Sequence, residues 1–250
     1  MDVTIPGAFD PEKNTTYELG LKSEFLDRRL RSDFAVYYID WTDIVIPQTV
    51  ESINGQPLQL PVAFQVNGGD ATIKGAEFSI DAVVTDNLSA NIGVSYVDAE
   101  YGDARVDSFT LFPSFAPDGQ IKGNTILRSS EWQGTAGAGY QAPLMNDIDW
   151  YLRGDAAYRG KQYADPTNQS VIPDSTTVNA HLGLTKDTWS IEIYALNLFD
   201  NDEPVDAYRD VYFTNTTPDG VTSGGRFFPW RYTVTYPRRV QYGLTWRMKF

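Results

Sequence analysis

Apolar and polar residues alternate with a period of two along nearly the whole chain, and the pattern is cleanest in the last eleven residues, VQYGLTWRMKF. Val240, Tyr242, Leu244, Trp246, Met248 and Phe250 alternate there with Gln241, Gly243, Thr245, Arg247 and Lys249. Successive side chains of a β-strand point to opposite faces, so one face of this strand is apolar and aromatic and the other polar and cationic. In a soluble sandwich the apolar face would meet a core; in an outer-membrane barrel it would meet lipid, with the polar face lining a lumen. The aromatic carboxy-terminus favours the barrel.

The same design recurs upstream. WSIEIYALNLFD sets Trp189, Ile191, Ile193 and Ala195 against Ser190, Glu192 and Tyr194, with a phase break at Asn197 that suggests a bulge. DWYLRGDAAYRG sets Trp150, Leu152, Gly154, Ala156 and Tyr158 against a face that carries Arg153, Asp155 and Arg159. In WQGTAGAGY, Trp132 and Tyr140 bracket a small apolar middle, as aromatics do at two membrane interfaces. LSANIGVSY, AEFSIDAVV, LRSDFAVYYIDW and YELGLKSEF follow suit, the last with Tyr17, Leu19, Leu21 and Phe25 opposed to Glu18, Gly20, Lys22 and Glu24. The pattern predicts about nine strands of roughly ten residues each, the length that crosses a bilayer at a tilt.

The connections alternate too. Short turns are predicted near Leu26–Arg29, Val84–Leu88, Pro143–Asp147 and Thr185–Thr188, and long irregular stretches near Pro47–Leu60, Gly102–Ser130, Lys161–Pro173 and Asn201–Tyr236. Outer-membrane barrels pair short periplasmic turns with long extracellular loops in this way. A soluble core could not hold so many ionisable side chains without partners.

Composition sharpens the picture at three points. Mean hydropathy is −0.35 and no window approaches about eighteen consecutive apolar residues, which excludes a transmembrane helix, yet a barrel would not raise this average. A net charge of −13 argues against nucleic acid as a partner, because phosphate binding needs a basic face. With no cysteine there is no disulfide framework and no thiolate metal site, and the one histidine, His181, reads as a plain polar-face residue. The opening MDVTIPGAFDPEKN has neither the basic nor the apolar region of an export signal.

Taken in order, YELGLKSEFLDRRLRSDFAVYYIDWTDI, GDATIKGAEF, the RSSEWQGTAGAGY region, YRGKQYADPTN, the NLFD tetrapeptide at Asn197–Asp200 and the terminal YGLTWRMKF resemble the carboxy-terminal part of a TonB-dependent outer-membrane receptor. The resemblance implies an all-β, antiparallel transmembrane β-barrel of about 22 strands around an amino-terminal plug. Residues 1–250 would be about nine strands of its carboxy-terminal portion, without the plug, and Met1 is expected to be internal or an artificial start. Phe250 would be the carboxy-terminal assembly signal. The implied setting is the outer membrane of a Gram-negative bacterium, with outer-membrane lipid as one partner. The other partners implied are a scarce solute, most often a ferric siderophore, and the TonB system acting through upstream segments. No cofactor, metal site or enzyme activity is expected.

Candidate functional residues follow from this frame. Tyr208, Arg209, Tyr212, Phe213, Arg226, Phe227, Trp230 and Arg231 in the longest loop, and Phe109 and Phe112 in the Gly102–Asn124 loop, combine aromatic rings with cations that could grip an anionic chelate. The competing reading is that they cover the barrel rim. Trp132, Tyr140, Trp150, Tyr158, Trp189, Tyr242 and Trp246 are expected at the membrane interfaces. Arg153, Arg159, Glu192 and Arg247 are expected in salt bridges of the wall or with a plug rather than on solute. The pairs Asp40 with Asp43 and Asp200 with Asp202 sit at strand ends, where carboxylates solvate turns, and do not suggest a glycosidase. YGDARVD and DNDEP lack the spacing of a dedicated calcium loop. Two alternatives stand beside the receptor: a passive porin or structural barrel, and a soluble carbohydrate-binding β-domain.

Overall fold

The computed structural model describes residues 7–53, 56–106, 115–211 and 230–249. Its strands are β1 (Lys13–Phe25), β2 (Leu30–Thr42), β3 (Val45–Ile53), β4 (Gln56–Asn67), β5 (Ala71–Val83), β6 (Leu88–Tyr101), β7 (Trp132–Met145) and β8 (Ile148–Arg159), then β9 (Gln162–Tyr163), β10 (Val171–Ile172), β11 (Ser175–Lys186), β12 (Trp189–Leu196), β13 (Asp206–Val211), β14 (Trp230–Thr235) and β15 (Gln241–Met248). No helix occurs among the described residues. Nine strands form one antiparallel sheet in the order β1-β2-β5-β6-β7-β8-β11-β12-β15, and the remaining six form three separate hairpins.

Register carries the apolar face across the whole sheet. Starting from Leu21, the cross-strand partners run Phe34, Phe78, Val94, Gly134, Tyr158 and Thr176. Lower on the same face, Tyr140, Leu152, Leu182, Ile193 and Leu244 stand in one row. On interior strands of the sheet Ile92 is 50% exposed, Leu152 49% and Ile193 52%, so this face has no protein core against it. The opposite face holds Glu18, Lys22, Asp33, Glu77, Asp81, Arg153, Asp155 and Glu192. It is concave, because residues of β1 and β11 border the same groove of about 740 Å³, with Glu18, Lys22, Asp33, Glu77, Arg159 and Thr177 along its walls.

Polarity thus lies inside the curve and apolarity outside, the arrangement of a membrane barrel wall. With nine antiparallel strands, β1 and β15 run the same way, and among the described residues they do not pair. The wall is an open, curved sheet rather than a small closed barrel.

The four short turns fall where the pattern predicts. Asn146 and Asp147 join β7 to β8 with φ of 44° and 60°, the two left-handed residues of a tight hairpin turn and the types that tolerate that region. Between β5 and β6 the Thr85 hydroxyl accepts the N–H groups of Asn87 and Leu88 at 3.2 and 3.0 Å. Among the described residues the long stretches are only partly irregular, Gly102–Ser130 keeping no strand and only isolated bridges. Three of them fold into the hairpins β3-β4, β9-β10 and β13-β14, which the proline-interrupted sequence VIPQTVESINGQPLQLPVAF and its counterparts conceal.

The buried cores lie at this long-loop end. One contains Ile44, Ile46, Ala104, Val106, Ala116 and Ile121 and fastens the β2-β5 connection to the β6-β7 connection. Another joins Ala164, Ile172 and Ala207. Full burial of an isoleucine such as Ile121 or Ile172 contributes about 1.5–3 kcal/mol relative to exposure, so the loops stabilise themselves as a layer on top of the wall.

Candidate functional site

Two places concentrate polar chemistry: the concave face of the wall and the layer of connections above it. On the wall, Tyr151 donates its hydroxyl to Glu192 Oε2 at 2.7 Å, and His181 Nδ1 stands 3.6 Å from the same oxygen. His181 is therefore a polar-face residue with an acidic neighbour, and no metal-binding cluster of His, Cys, Asp or Glu occurs among the described residues. The expected salt bridges are only partly found. Arg153 and Arg247 make no ion pair among the described residues, while Arg159 turns its Nη2 to the carbonyls of Pro173 (3.1 Å) and Pro204 (2.9 Å) and to Ser175 Oγ (3.3 Å). At the top of β8, adjoining loops offer more carbonyl oxygens than carboxylates, so Arg159 fastens loops instead of pairing with acid.

The phase break at Asn197 is a turn and not a bulge. β12 ends at Leu196, and Asn197 takes a left-handed φ of 52° while 6% exposed. Its side-chain amide donates to the carbonyls of Asn201 (2.8 Å) and Arg238 (3.0 Å), and its Oδ1 accepts the Asn201 N–H at 2.9 Å. One asparagine thus ties the outgoing and returning limbs of the β12-β15 connection together. Beside it, Arg239 forks onto Asp200 at 2.5 Å and Asp202 at 2.8 Å. The hydrogen bond to Asp202, with the Asp200 carboxylate next to it, raises the Arg239 guanidinium above its ordinary value. Asp200 and Asp202 are accordingly a clamp for one arginine.

The loops are joined to one another. Asn168 and Thr125 exchange two hydrogen bonds, at 2.7 and 3.0 Å, and Asn124 donates to the Pro166 carbonyl at 2.7 Å. Arg128 Nε reaches Asp206 Oδ1 at 2.9 Å, linking the β6-β7 connection to β13. Where these segments meet lies a cavity of about 210 Å³ bordered by Leu127, Arg128, Tyr163, Ala164, Pro166 and Tyr208, together with Asp165.

Of the loop residues singled out from the sequence, Tyr208 borders this cavity and is 46% exposed. Arg209 lies on β13, and Trp230 and Arg231 on β14, opposite Tyr232, Val211 and Asp210 in the hairpin register. Tyr212, Phe213, Arg226, Phe227, Phe109, Phe112 and Phe250 lie outside the described residues. Arg128 and Tyr163 were missed. Their pairing depends on two connections meeting in space, and a cation in RSSEW and a tyrosine in KQYADP carry no local signal of it.

The aromatics expected at interfaces occupy the apolar face at its two ends. Toward the loops, Trp132 packs on Tyr96 with centroids 4.9 Å apart, and Tyr158 and Tyr242 lie near the loop ends of β8 and β15. Toward the short turns, Tyr140 packs on Trp150 at 5.4 Å, and Trp189 and Trp246 complete the row.

Comparison with known proteins bears directly on this geometry. The family described as TonB dependent receptor-like, beta-barrel matches residues 2–198. The ferric-pyoverdine BN7/BN8 receptor of Pseudomonas putida is 27% identical over 136 residues, which are 52% of this chain and 15% of that protein. The ferrichrome outer membrane transporter/phage receptor of Escherichia coli K12 is 24% identical over 204 residues, 78% of this chain and 23% of that protein. Among solved structures, the ferric yersiniabactin uptake receptor of Yersinia pestis superposes with a TM-score of 0.69 over 96% of this chain and 30% of its own. At 17% identity that likeness concerns the fold. The chain spans less than a quarter of the length of these two sequence relatives.

Proposed function

Because the chain belongs to the TonB-dependent receptor-like β-barrel family, we propose that it forms the wall and the outer loops of a receptor that takes up a scarce solute, most often a ferric siderophore, by active transport. It is an outer-membrane protein of a Gram-negative bacterium, as its relatives are. The observation that carries the reading is the division of the sheet into a continuous apolar outer face and a charged concave one, capped on one side by bonded loops. A soluble carbohydrate-binding domain has no use for nine strands with exposed aliphatic and aromatic side chains. A passive porin is the second reading, and membership of a receptor-like family favours the receptor over it.

In this reading the two rows of aromatics, Trp132, Tyr158 and Tyr242 above and Tyr140, Trp150, Trp189 and Trp246 below, sit at the two membrane interfaces, their rings in the headgroup layer. Tyr208, Arg209, Trp230 and Arg231 belong to the β13-β14 hairpin, outside the membrane in this reading, and are the residues proposed for solute contact. Ferric chelates are the favoured solute because the sequence relatives carry ferric-pyoverdine and ferrichrome in their names. Energy would come from the TonB system through segments outside these 250 residues. The chain itself supplies shape and charge and carries out no bond chemistry.

The test is radioiron uptake in a host that lacks its own ferric-siderophore receptors and expresses the native polypeptide carrying this chain. Uptake from at least one ferric chelate, abolished by a protonophore and by loss of TonB, is expected. Uptake that persists without either would overturn active transport in favour of passive permeation.

A further inference from the structure

We infer that Arg128 is the anion-reading residue of a binding pocket between three extracellular connections, and that the pocket takes one planar, negatively charged arm of the solute, an aryl carboxylate or a deprotonated phenol. The inference rests on the reading of the chain as a solute receptor. It starts from the backbone. Arg128 has a φ of 58°, a left-handed conformation that costs a non-glycine residue free energy and that persists where surrounding contacts over-determine it. Here they do: the Arg128 N–H donates to the Tyr163 carbonyl at 3.2 Å, the Arg128 carbonyl accepts from Gln162 Nε2 at 3.0 Å, and Nε donates to Asp206 at 2.9 Å. Contacts from two other elements, β9 and β13, hold one strained arginine in place.

What they hold it beside is a cavity. The hydrogen bond to Asp206 uses the Nε edge, and the Nη groups of this half-exposed side chain donate no other hydrogen bond among the described residues. Leu127 and Pro166 add apolar surface, and Tyr163 and Tyr208 bring two rings. Lys161 stands 5.6 Å from the Tyr163 ring centroid and adds a second positive charge nearby. The remaining acid, Asp165, is 1% exposed and already accepts bonds from Thr167 and from the Ser170 N–H at 2.6 Å, so its charge is engaged within its own loop. A guanidinium fork recognises a carboxylate or a phenolate oxygen, and aromatic rings recognise a flat arm beside it. At about 210 Å³ the cavity is smaller than the 300–1,000 Å³ of whole-ligand sites, which limits it to one arm and leaves the rest of the solute to neighbouring surfaces.

Arg128→Gly separates recognition from folding, because glycine adopts the left-handed backbone without steric cost while losing the guanidinium. The native polypeptide purified in detergent is titrated with sodium salicylate and with neutral salicylamide, and binding is followed by ligand-observed nuclear magnetic resonance up to about 10 mM, a range that captures millimolar affinity. Salicylate is expected to bind at least tenfold more tightly than salicylamide. In Arg128→Gly salicylate is expected to fall to the level of salicylamide, with the melting temperature unchanged or raised. Lack of a salicylate preference in the parent protein overturns the inference, as does a preference that survives Arg128→Gly. A preference that depends on Arg128 in a protein that shows no energised uptake of any chelate would instead overturn the transport reading and leave the pocket standing.

Discussion

Tyr151 lies across Gly183, its direct partner on the next strand, so closely that a Cβ on the glycine would stand 2.3 Å from the ring's Cζ. The same relation joins Tyr37 to Gly75 and Tyr194 to Gly243, each tyrosine reaching from one strand over the glycine of the next on the concave face. A ring lying over a glycine covers its bare backbone and holds the register of two strands, and for Tyr151 it also carries the hydroxyl to Glu192.

Gly183→Ala is therefore expected to destabilise the barrel by about 1–3 kcal/mol, the usual cost of overpacking, and to break the Tyr151–Glu192 hydrogen bond. Gly139 on the same face is the control, since its nearest atom is Ser89 Oγ at an ordinary 3.5 Å. Gly139→Ala should be neutral or stabilising by roughly 0.5–1 kcal/mol, as for glycine replaced within a strand. Denaturant unfolding of the native polypeptide in lipid vesicles reads both. Equal effects at the two glycines would contradict the packing argument.

Asn197 is the joint of the β12-β15 connection, and replacing it should loosen that connection alone. Asn197→Asp keeps an acceptor for the Asn201 N–H but loses the donors to the Asn201 and Arg238 carbonyls, and sets a carboxylate oxygen beside them. Each buried group left without a partner costs about 1–3 kcal/mol. The expected result is faster protease cleavage between residues 201 and 240, with the rest of the wall protected as before. Unchanged cleavage would mean that the limbs are held elsewhere.

This joint also marks where the sequence stops being legible. The nine strands of the sheet and their phases could be read from segments such as YELGLKSEF and VQYGLTWRMKF because an alternation of two is local, and the short turns could be read from the gaps between them. The meaning of Asn197 could not, since its partners Asn179 and Arg238 are 18 and 41 positions away. The Tyr151–Gly183 pair was hidden for the same reason: both residues look unremarkable in their own strands, and only the register brings them together. The hairpin β3-β4 was obscured by Pro47, Pro57 and Pro61, which weaken a strand reading even where pairing occurs. Arg128 lay furthest out of reach, because its conformation is imposed by contacts from two other connections.

The clamp of Arg239 on Asp200 and Asp202 should be insensitive to alkali. A base whose value is raised on folding contributes stability that is lost only as the pH rises through the raised value, here above the ordinary range of a guanidinium. Protease cleavage of the 201–240 segment is expected to proceed at the same rate at pH 7 and pH 10 once corrected for the protease's own activity. Asp200→Asn should speed cleavage more than Asp202→Asn, because Asp200 also accepts the Val240 N–H at 2.9 Å. The opposite order would show that the fork, rather than the strand start at Val240, fixes the returning limb.

The sharpest test of the two-faced wall compares an arginine placed on either side of β6. Ile92 is on the apolar face, midway between Tyr96 and the turn below Leu88, and is 50% exposed on a strand paired on both sides. Ser95 points to the concave face and borders the 740 Å³ groove. If the apolar face meets hydrocarbon, Ile92→Arg must bring a guanidinium near the middle of the bilayer, at a cost of about 2–4 kcal/mol. Ser95→Arg places the same group in a hydrated lumen and should change stability by no more than about 0.5 kcal/mol, as surface substitutions do. Folding free energies measured in vesicles decide between them. Were both variants equally tolerated, the exposed Ile, Leu and Val rows would be facing water, and an aqueous surface of that size would have to be covered by another protein.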